Sequence, residues 1–494
     1  MSRFSFRLVG FVSLVVLGAC STVDIRKKPD REGGGGTDST SAITAQTGTG
    51  AGNMGGMGGA GGEACEGGLG TECEPNQKGM LFDGNASAKT VGIDSAGNVV
   101  IAGRFSAIDL DGNLLMSAGE QDVFVAKLDG STGAVMWRRT FGTAEPESRI
   151  DLAIDNDDNV VIAGIARAGI DFGGGNVCAE GFGQVYLVKL DTAGEHLFSR
   201  CFGDPATSTG GPDPQVATTP SGEIVLFGRS DDDIDLGSGL LPWDEGVLFV
   251  ATYAPDGQGL WSRKYGESES TPNAYARALA VSPTGHIVVG VSFHESIDFE
   301  GLVLESPDDS AALVVELDHD GDIEWGAALR ADITLFDLTV GPRGEVVVGG
   351  PKVTEVEAAG LSTPVEGTIV ALDAQGALRW ANGPSGAGAV VVEGVGVDPA
   401  GNVLAIARLV HSPQPAGPDL GFSAFSPDGA LLFERHFGSG WGFDLALRGA
   451  KVAFCGAAGD DPGLDFGGGL LVPGEEYDGG VFTAWFEPWQ SAAP

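Results

Sequence analysis

Short apolar runs recur along the chain, each introduced by a tight turn: AGNVVIAGRF at 96–105, DNVVIAGIA at 158–166, SGEIVLFGRS at 221–230 and TGHIVVGVSF at 284–293. The series continues as RGEVVVGG at 343–350, AGNVLAIAR at 400–408 and RGAKVAFCGA at 448–457. These seven copies are separated by roughly 48 to 64 residues, a spacing typical of repeat architectures. A second element follows the first six runs, with apolar and polar residues alternating at period two on both arms of a turn. Examples are VFVAKLDGSTGAVMW at 123–137, LFVATYAPDGQGLW at 248–261 and TIVALDAQGALRW at 368–380. An aromatic sits four residues past each turn glycine: Trp137, Phe198, Trp261, Trp325, Trp380 and Phe433 follow Gly133, Gly194, Gly257, Gly321, Gly376 and Gly429. Asp-Gly and Asp-x-x-Gly supply the positive φ of a tight hairpin. An aromatic held at a constant hairpin position is a packing anchor between neighbouring units.

With a short apolar strand upstream, as in the run beginning Arg277-Ala-Leu-Ala-Val, each copy holds four strands. Four-stranded units repeated radially make a β-propeller, which shelters sheet edges without one very large barrel. The expected fold is all-β: a seven-bladed β-propeller of four-stranded antiparallel blades over 79–490. A β-solenoid, the structural competitor, would need shorter coils of one or two strands. VFTAWFEP at 481–488 matches a third strand with no fourth behind it, and Gly79-Met-Leu-Phe82-Asp-Gly84 is a strand without its own hairpin. Residues 79–83 are therefore expected to complete the last blade and close the ring.

Ahead of the repeats the pattern changes. Arg3 and Arg7 precede an apolar run from Leu8 to Leu17, and Leu17-Gly18-Ala19-Cys20 follows. A run of about 10 residues is too short to span a bilayer, which needs roughly 20. The arrangement resembles the lipobox of bacterial lipoproteins, which implies a signal peptide over 1–19 and lipid attachment at Cys20. Residues 20–78 then read as a lipidated, flexible Gly-rich spacer, because GGGG and GNMGGMGGAGG cannot bury enough apolar surface to offset their ordering entropy. The implied address is the cell envelope, as an outer-membrane lipoprotein facing the periplasm or the surface.

Composition narrows the function classes. The 494 residues carry 28 Lys and Arg against 68 Asp and Glu, a formal charge of −40, so the body repels phosphate backbones and nucleic acid is excluded as a partner. The 81 glycines oppose long helices, and 42% hydrophobic residues exclude disorder throughout.

The Asn-Val-Val-Ile-Ala-Gly, Ile-Asp-Phe-Gly-Gly, Val-Phe-Val-Ala-Lys-Leu-Asp and Trp-x-Arg-x-Phe-Gly pieces resemble the SBBP-type β-propeller repeats of bacterial surface proteins. This likeness covers about 85–487 and implies fold and envelope location, with little chemistry. Ala371-Leu-Asp-Ala-Gln-Gly-Ala-Leu-Arg-Trp380 also resembles the repeat of pyrroloquinoline-quinone enzymes and of the propeller lipoprotein of outer-membrane barrel assembly.

Candidate chemistry is sparse. Cys65 and Cys73 flank CEGGLGTEC, and Cys178 lies in the long loop of the second copy with Cys201 on its fourth strand; disulfides 65–73 and 178–201 are expected in an oxidising envelope. Cys455, in an apolar run, is expected as a buried thiol. Asp109, Asp171, Asp235, Asp298 and Asp465 recur near the starts of long loops, each after Ile or Leu. They read as turn formers rather than as a ring collecting cations. Asp155-Asn-Asp-Asp-Asn159 and Asp318-His-Asp-Gly-Asp322 lack the later Glu and the Gly position of a calcium loop. The six histidines form no pair at metal-ligand spacing, and no nucleophile elbow, zinc motif or phosphate loop occurs. No metal, no cofactor and no catalytic residues are assigned.

The functional expectation is a lipid-anchored envelope propeller acting as a non-enzymatic binding or scaffold module. Its partners would be the membrane, through the anchor, and a protein or glycan met by the loop-bearing face. The alternatives are a barrel-assembly-like scaffold lipoprotein, and a propeller enzyme, either a quinone-dependent dehydrogenase or a hydrolase.

Overall fold

A computed structural model describes residues 46–49 and 76–487, apart from 111, 182, 204–213, 231, 243–246, 267–273, 332–334, 336, 359–360, 386–388, 411–417, 460–462, 468–469 and 474–479. The described chain is all-β, its strand pairs are antiparallel, and no helix occurs among the described residues. Cys20, Cys65 and Cys73 lie outside the described residues, as does the signal segment.

The strands pair as consecutive meanders. One runs Ser148–Ile154, Val160–Ala166, Gln184–Leu190, His196–Phe202, and the next Gln215–Thr218, Ile224–Arg229, Leu248–Tyr253, Gly259–Tyr265. Residues 84–93, Val99–Asp109, Asp122–Leu128 and Val135–Phe141 precede them as the first meander. The fourth, fifth and sixth begin with Ala274–Val281, Asp337–Val340 and Ala389–Val397. In the last meander 440–448 pairs with Lys451–Ala458, which pairs with Gly480–Glu487, and the outermost position is taken by 76–83 from the other end of the chain. The strand Asn76–Ile93 therefore serves the last meander with one half and the first with the other. The first strands lie beside one another in chain order, and 440–448 returns to lie against 84–93 through the Val91 amide, which donates to Asp444 Oδ2 at 2.8 Å.

Burial explains the residue choice. Second and third strands such as Val160–Ala166 and Gln184–Leu190 are buried along their whole length, because neighbouring meanders cover both faces. That makes them continuous apolar runs, whereas the outer strand Val135–Phe141 stays largely accessible.

The anchor aromatics connect successive meanders. Trp137 Nε1 donates to the Thr192 carbonyl at 2.9 Å, Trp261 to His319 at 2.9 Å and Trp380 to Pro427 at 3.1 Å, each in the turn of the following meander. Trp485 repeats the contact from the last meander to the first, donating to the Gly130 carbonyl at 2.8 Å. The turn glycines receive these rings: a Cβ on Gly194 would sit 2.8 Å from Trp137, on Gly257 2.8 Å from Phe198 and on Gly429 2.7 Å from Trp380. Lysines reinforce the same seam. Lys189 pairs with Asp155 at 2.8 Å, both buried, and reaches the Pro255 carbonyl of the next turn at 2.8 Å.

Two segments depart from the sequence reading. Within the stretch read as spacer, Gln46–Thr49 pairs antiparallel with Lys78–Leu81, and the strand of the body starts at Asn76 rather than at 79. The cause is that 76–83 is an outer strand whose free edge offers backbone groups that a Gly/Thr segment can satisfy. The long loops are also more ordered than loops. Ile170–Asp171 with Asn176–Val177, Ile234–Asp235 with Leu240–Leu241, and Leu464–Asp465 with Leu470–Leu471 form small hairpins. Ser238 and Ser262 meet at 2.5 Å, and Cys178 is joined to Cys201 by a disulfide, so the first two of these hairpins lie over the outer strand of their own meander, whereas in the third Leu464 pairs with Gly438, ahead of 440–448.

Candidate functional site

The strand order places the beginning of every first strand and the end of every second strand at one end of the molecule, the end that carries the hairpin loops. There the first strands bulge. Their pairing skips Lys89, Arg149, Arg277, Glu393 and Phe443 in the first, second, fourth, sixth and last meanders. A bulge leaves one residue unpaired and re-aims its side chain. Three of these five are cations. Three more occupy a common place near the end of the second strand, Arg104, Arg229 and Arg408.

Specific contacts organise these cations. The Arg229 and Arg277 guanidiniums lie 4.9 and 5.2 Å from the centre of the Tyr275 ring, and His294 meets the same ring edge-on at 6.5 Å. Arg229 is buried and donates to the Ala274 carbonyl at 3.1 Å. The Lys89 ammonium stands 3.6 Å from the centre of the Phe443 ring. Arg408 is paired with Glu393 at 3.0 Å. Burial raises the Glu393 carboxyl, and Arg408 and Lys89 pull it back. Glu147 is fully buried near Tyr186; desolvation, with Asp122 adding, pushes its carboxyl up to about 6 although Thr143 donates to it at 2.7 Å.

One step further along the first strands is a carboxyl layer. Asp151, Asp337 and Asp444 occupy equivalent places, opposite Ala163, Gly349 and Cys455. Each uses Oδ1 to accept from the next amide of its own strand and Oδ2 to accept from the following meander: Val216 for Asp151, Val395 for Asp337 and Val91 for Asp444, all at 2.8 Å. Burial raises all three carboxyls, the amide bonds oppose it, and mutual repulsion adds for Asp151 and Asp337. Asp151 is pushed up to about 7. These side chains keep part of their area accessible, yet protein surrounds the carboxyls. Thr90 lies between two of them and donates to Asp151 Oδ1 at 3.2 Å.

The acidic residues singled out from the sequence sit elsewhere. Asp171 Oδ1 accepts from Gly173 and Gly175 at 2.7 and 2.9 Å, Asp235 from Gly237 at 2.8 Å, Asp298 from Gly301 at 2.6 Å and Asp465 from Gly467 at 2.8 Å. They shape hairpin turns. Asp155 and Asp318 do the same in the tight turns at the other end, each accepting amides from its own loop. No group of three or more His, Cys, Asp or Glu placed to hold a metal ion occurs among the described residues. Cys455 is a buried free thiol. The cation and carboxyl layers went unnoticed in sequence because equivalent positions hold unlike residues. Superposing the first strands by their register against the second would have aligned Lys89 with Arg277 and placed Arg149 one position earlier.

No family model matches the chain, and no curated protein matches it. Solved structures give distant likenesses. A protein of unknown function from Bacteroides caccae is 14% identical, with a TM-score of 0.32 over 62% of this chain and 93% of that one. A protein of unknown function from Dyadobacter fermentans is 12% identical, with a TM-score of 0.39 over 69% and 95%. An ulvan lyase from a polysaccharide lyase family is 11% identical, with a TM-score of 0.41 over 82% and 93%. At such TM-scores none of them bears on function.

Proposed function

We propose that the chain is a lipid-anchored, seven-bladed β-propeller of the bacterial cell envelope, closed by its N-terminal strand. It works as a non-enzymatic binding or scaffold module whose ligand enters at the loop-bearing mouth. Support for the propeller comes from the meanders in series, the aromatic contacts handed from each to the next, and the pairing of 76–83 with 480–487. Support for the anchor is the Leu-Gly-Ala-Cys20 sequence behind its apolar run.

The observation that carries the binding reading is electrostatic. A chain of net charge −40 gathers Lys89, Arg104, Arg149, Arg229, Arg277 and Arg408 at one end of its first and second strands. They stand among Glu147, Glu393, Asp151, Asp337 and Asp444, so this end offers a partner charges of both signs where the body as a whole is acidic. Two measurements test the proposal. Replacement of Cys20 by Ser should abolish incorporation of a fatty-acid analogue. A photo-crosslinking residue at 294 should yield a discrete adduct in intact envelopes, while one at 320, in a turn at the other end, should not. Equal labelling from both positions overturns the binding reading.

A further inference from the structure

We infer that Asp122, Glu147 and Tyr186 form a site for one divalent cation, calcium, buried in the joint between the first and second meanders. Register against the second strand makes Asp122 and Gln184 equivalent, since Phe105 faces Asp122 and Ala166 faces Gln184. Gln184 is satisfied on both sides: Oε1 accepts the Ala179 amide at 2.8 Å, and Nε2 donates to the Gly203 carbonyl at 2.7 Å. Asp122 keeps the first bond, with Oδ2 accepting the Ala118 amide at 2.8 Å, but a carboxylate has no donor for the second. Its carboxyl lies against Gly142, the counterpart of Gly203, and Oδ1 is buried without a hydrogen-bond partner. Where the second meander places an N–H, the first therefore needs a positive species. A second acid meets the same spot. Glu147 accepts the hydroxyl of Thr143, the residue after Gly142, at 2.7 Å, and its amide donates to the carbonyl of Gln121, the residue before Asp122, at 3.0 Å. Tyr186, fully buried, lies over Gly164 near the Arg149 main chain, two residues from Glu147, and its hydroxyl also has no hydrogen-bond partner. No Lys or Arg pairs with either carboxyl among the described residues, although Arg104 is near enough to act on Tyr186. Two buried carboxylates without a counter-charge are costly. Protons would neutralise them and leave the Tyr186 oxygen unsatisfied, whereas a cation can be met by all three side chains. Donors that are all oxygen select a hard cation, and two carboxylates match a divalent one. The site is closed to solvent, which favours calcium over magnesium because magnesium gives up its waters reluctantly. With only two acids, hydroxyl and main-chain oxygens make up the rest of the shell.

The test uses the full chain in detergent, with thermal melts in calcium, magnesium or chelator, and terbium luminescence excited through Tyr186. Calcium at roughly a hundredfold excess over its Kd should raise the melting temperature by about 3 °C or more above that in chelator, and magnesium by less. Terbium should show sensitised emission that calcium displaces and that Tyr186→Phe dims. Asp122→Gln installs the residue the second meander carries, so it should fold, melt in chelator no lower than the parent, and lose both the calcium shift and the displaceable emission. Glu147→Gln should lose them too. Asp171→Asn, which alters an exposed hairpin carboxyl accepting from Gly173 and Gly175, should keep both. A calcium shift that persists in Asp122→Gln and Glu147→Gln overturns the site. An equal shift from magnesium overturns calcium as its occupant. Melts that ignore both metals overturn the cation and show that protons neutralise the pair.

Discussion

Gly194→Ala tests whether the aromatic contacts between meanders hold the molecule together. Gly194 has φ +76°, and an added Cβ would lie 2.8 Å from Trp137 Cε3 and 2.9 Å from Cδ2 of the preceding meander. Two costs add. The left-handed backbone costs an alanine about 1–2 kcal/mol. Overpacking against the indole costs about 1–3 kcal/mol. Trp137 cannot retreat freely, because its Nε1 bond to Thr192 at 2.9 Å would be lost, a further ~1 kcal/mol. The expected loss is roughly 2–5 kcal/mol. Gly222→Ala is the internal control, with φ +89° and nothing nearer than Pro255 Cγ at 3.6 Å; it should lose only about 1–2 kcal/mol. Urea unfolding of the full chain in detergent, followed by tryptophan fluorescence, reads both. Trp137→Leu should reduce the extra cost of Gly194→Ala, since the smaller side chain makes room. Equal destabilisation by the two glycine variants, or no rescue by Trp137→Leu, would refute a packed latch at this seam.

Lys189→Met should destabilise by about 3–5 kcal/mol, because it strands the buried Asp155 carboxylate; the extra loss should shrink when Asp155→Asn is added, and urea midpoints of the single and double variants decide it. Reduction of Cys178–Cys201, 23 residues apart, should cost roughly 3 kcal/mol in the same assay, and an unchanged midpoint with reductant would show that the hairpin is held by packing alone. The pH profile carries a signed expectation. Asp151 is displaced upward to about 7 from an ordinary value near 4, so the folded state holds its proton more tightly than the unfolded chain. Its contribution favours folding at low pH and is lost as pH rises from about 4 through about 7. Asp151→Asn should flatten stability across that window, and an unaltered slope would show the carboxyl to be ordinarily solvated.

Local chemistry made much of the chain legible. Asp129 to Gly133 and Asp191 to Gly194 close by main-chain bonds of 2.8 and 2.9 Å, as their spacing demanded. Asp158 shows the same logic under substitution. It stands where most copies have glycine, keeps φ +62°, and its carboxylate accepts the Ser95 amide at 2.7 Å from the preceding meander. Asp tolerates that conformation better than most residues. The loop aspartates also read correctly as turn formers, because Asp171 and Asp235 satisfy amides within a few residues of themselves.

The sequence by itself determined an all-β antiparallel chain, the places of its turns and the aromatic that follows each turn, since these depend on φ preferences and period-two burial within about fifteen residues. Only the tertiary structure decided what stands at the mouth. Arg229 and Arg277 meet on Tyr275 across a meander boundary, and Asp444 reaches Val91 from 353 positions away. The physical reason is that strand-forming signals act between neighbours in sequence. Charges and carboxyls become one site only when the first strands are brought side by side, and no local pattern records which residue each will face.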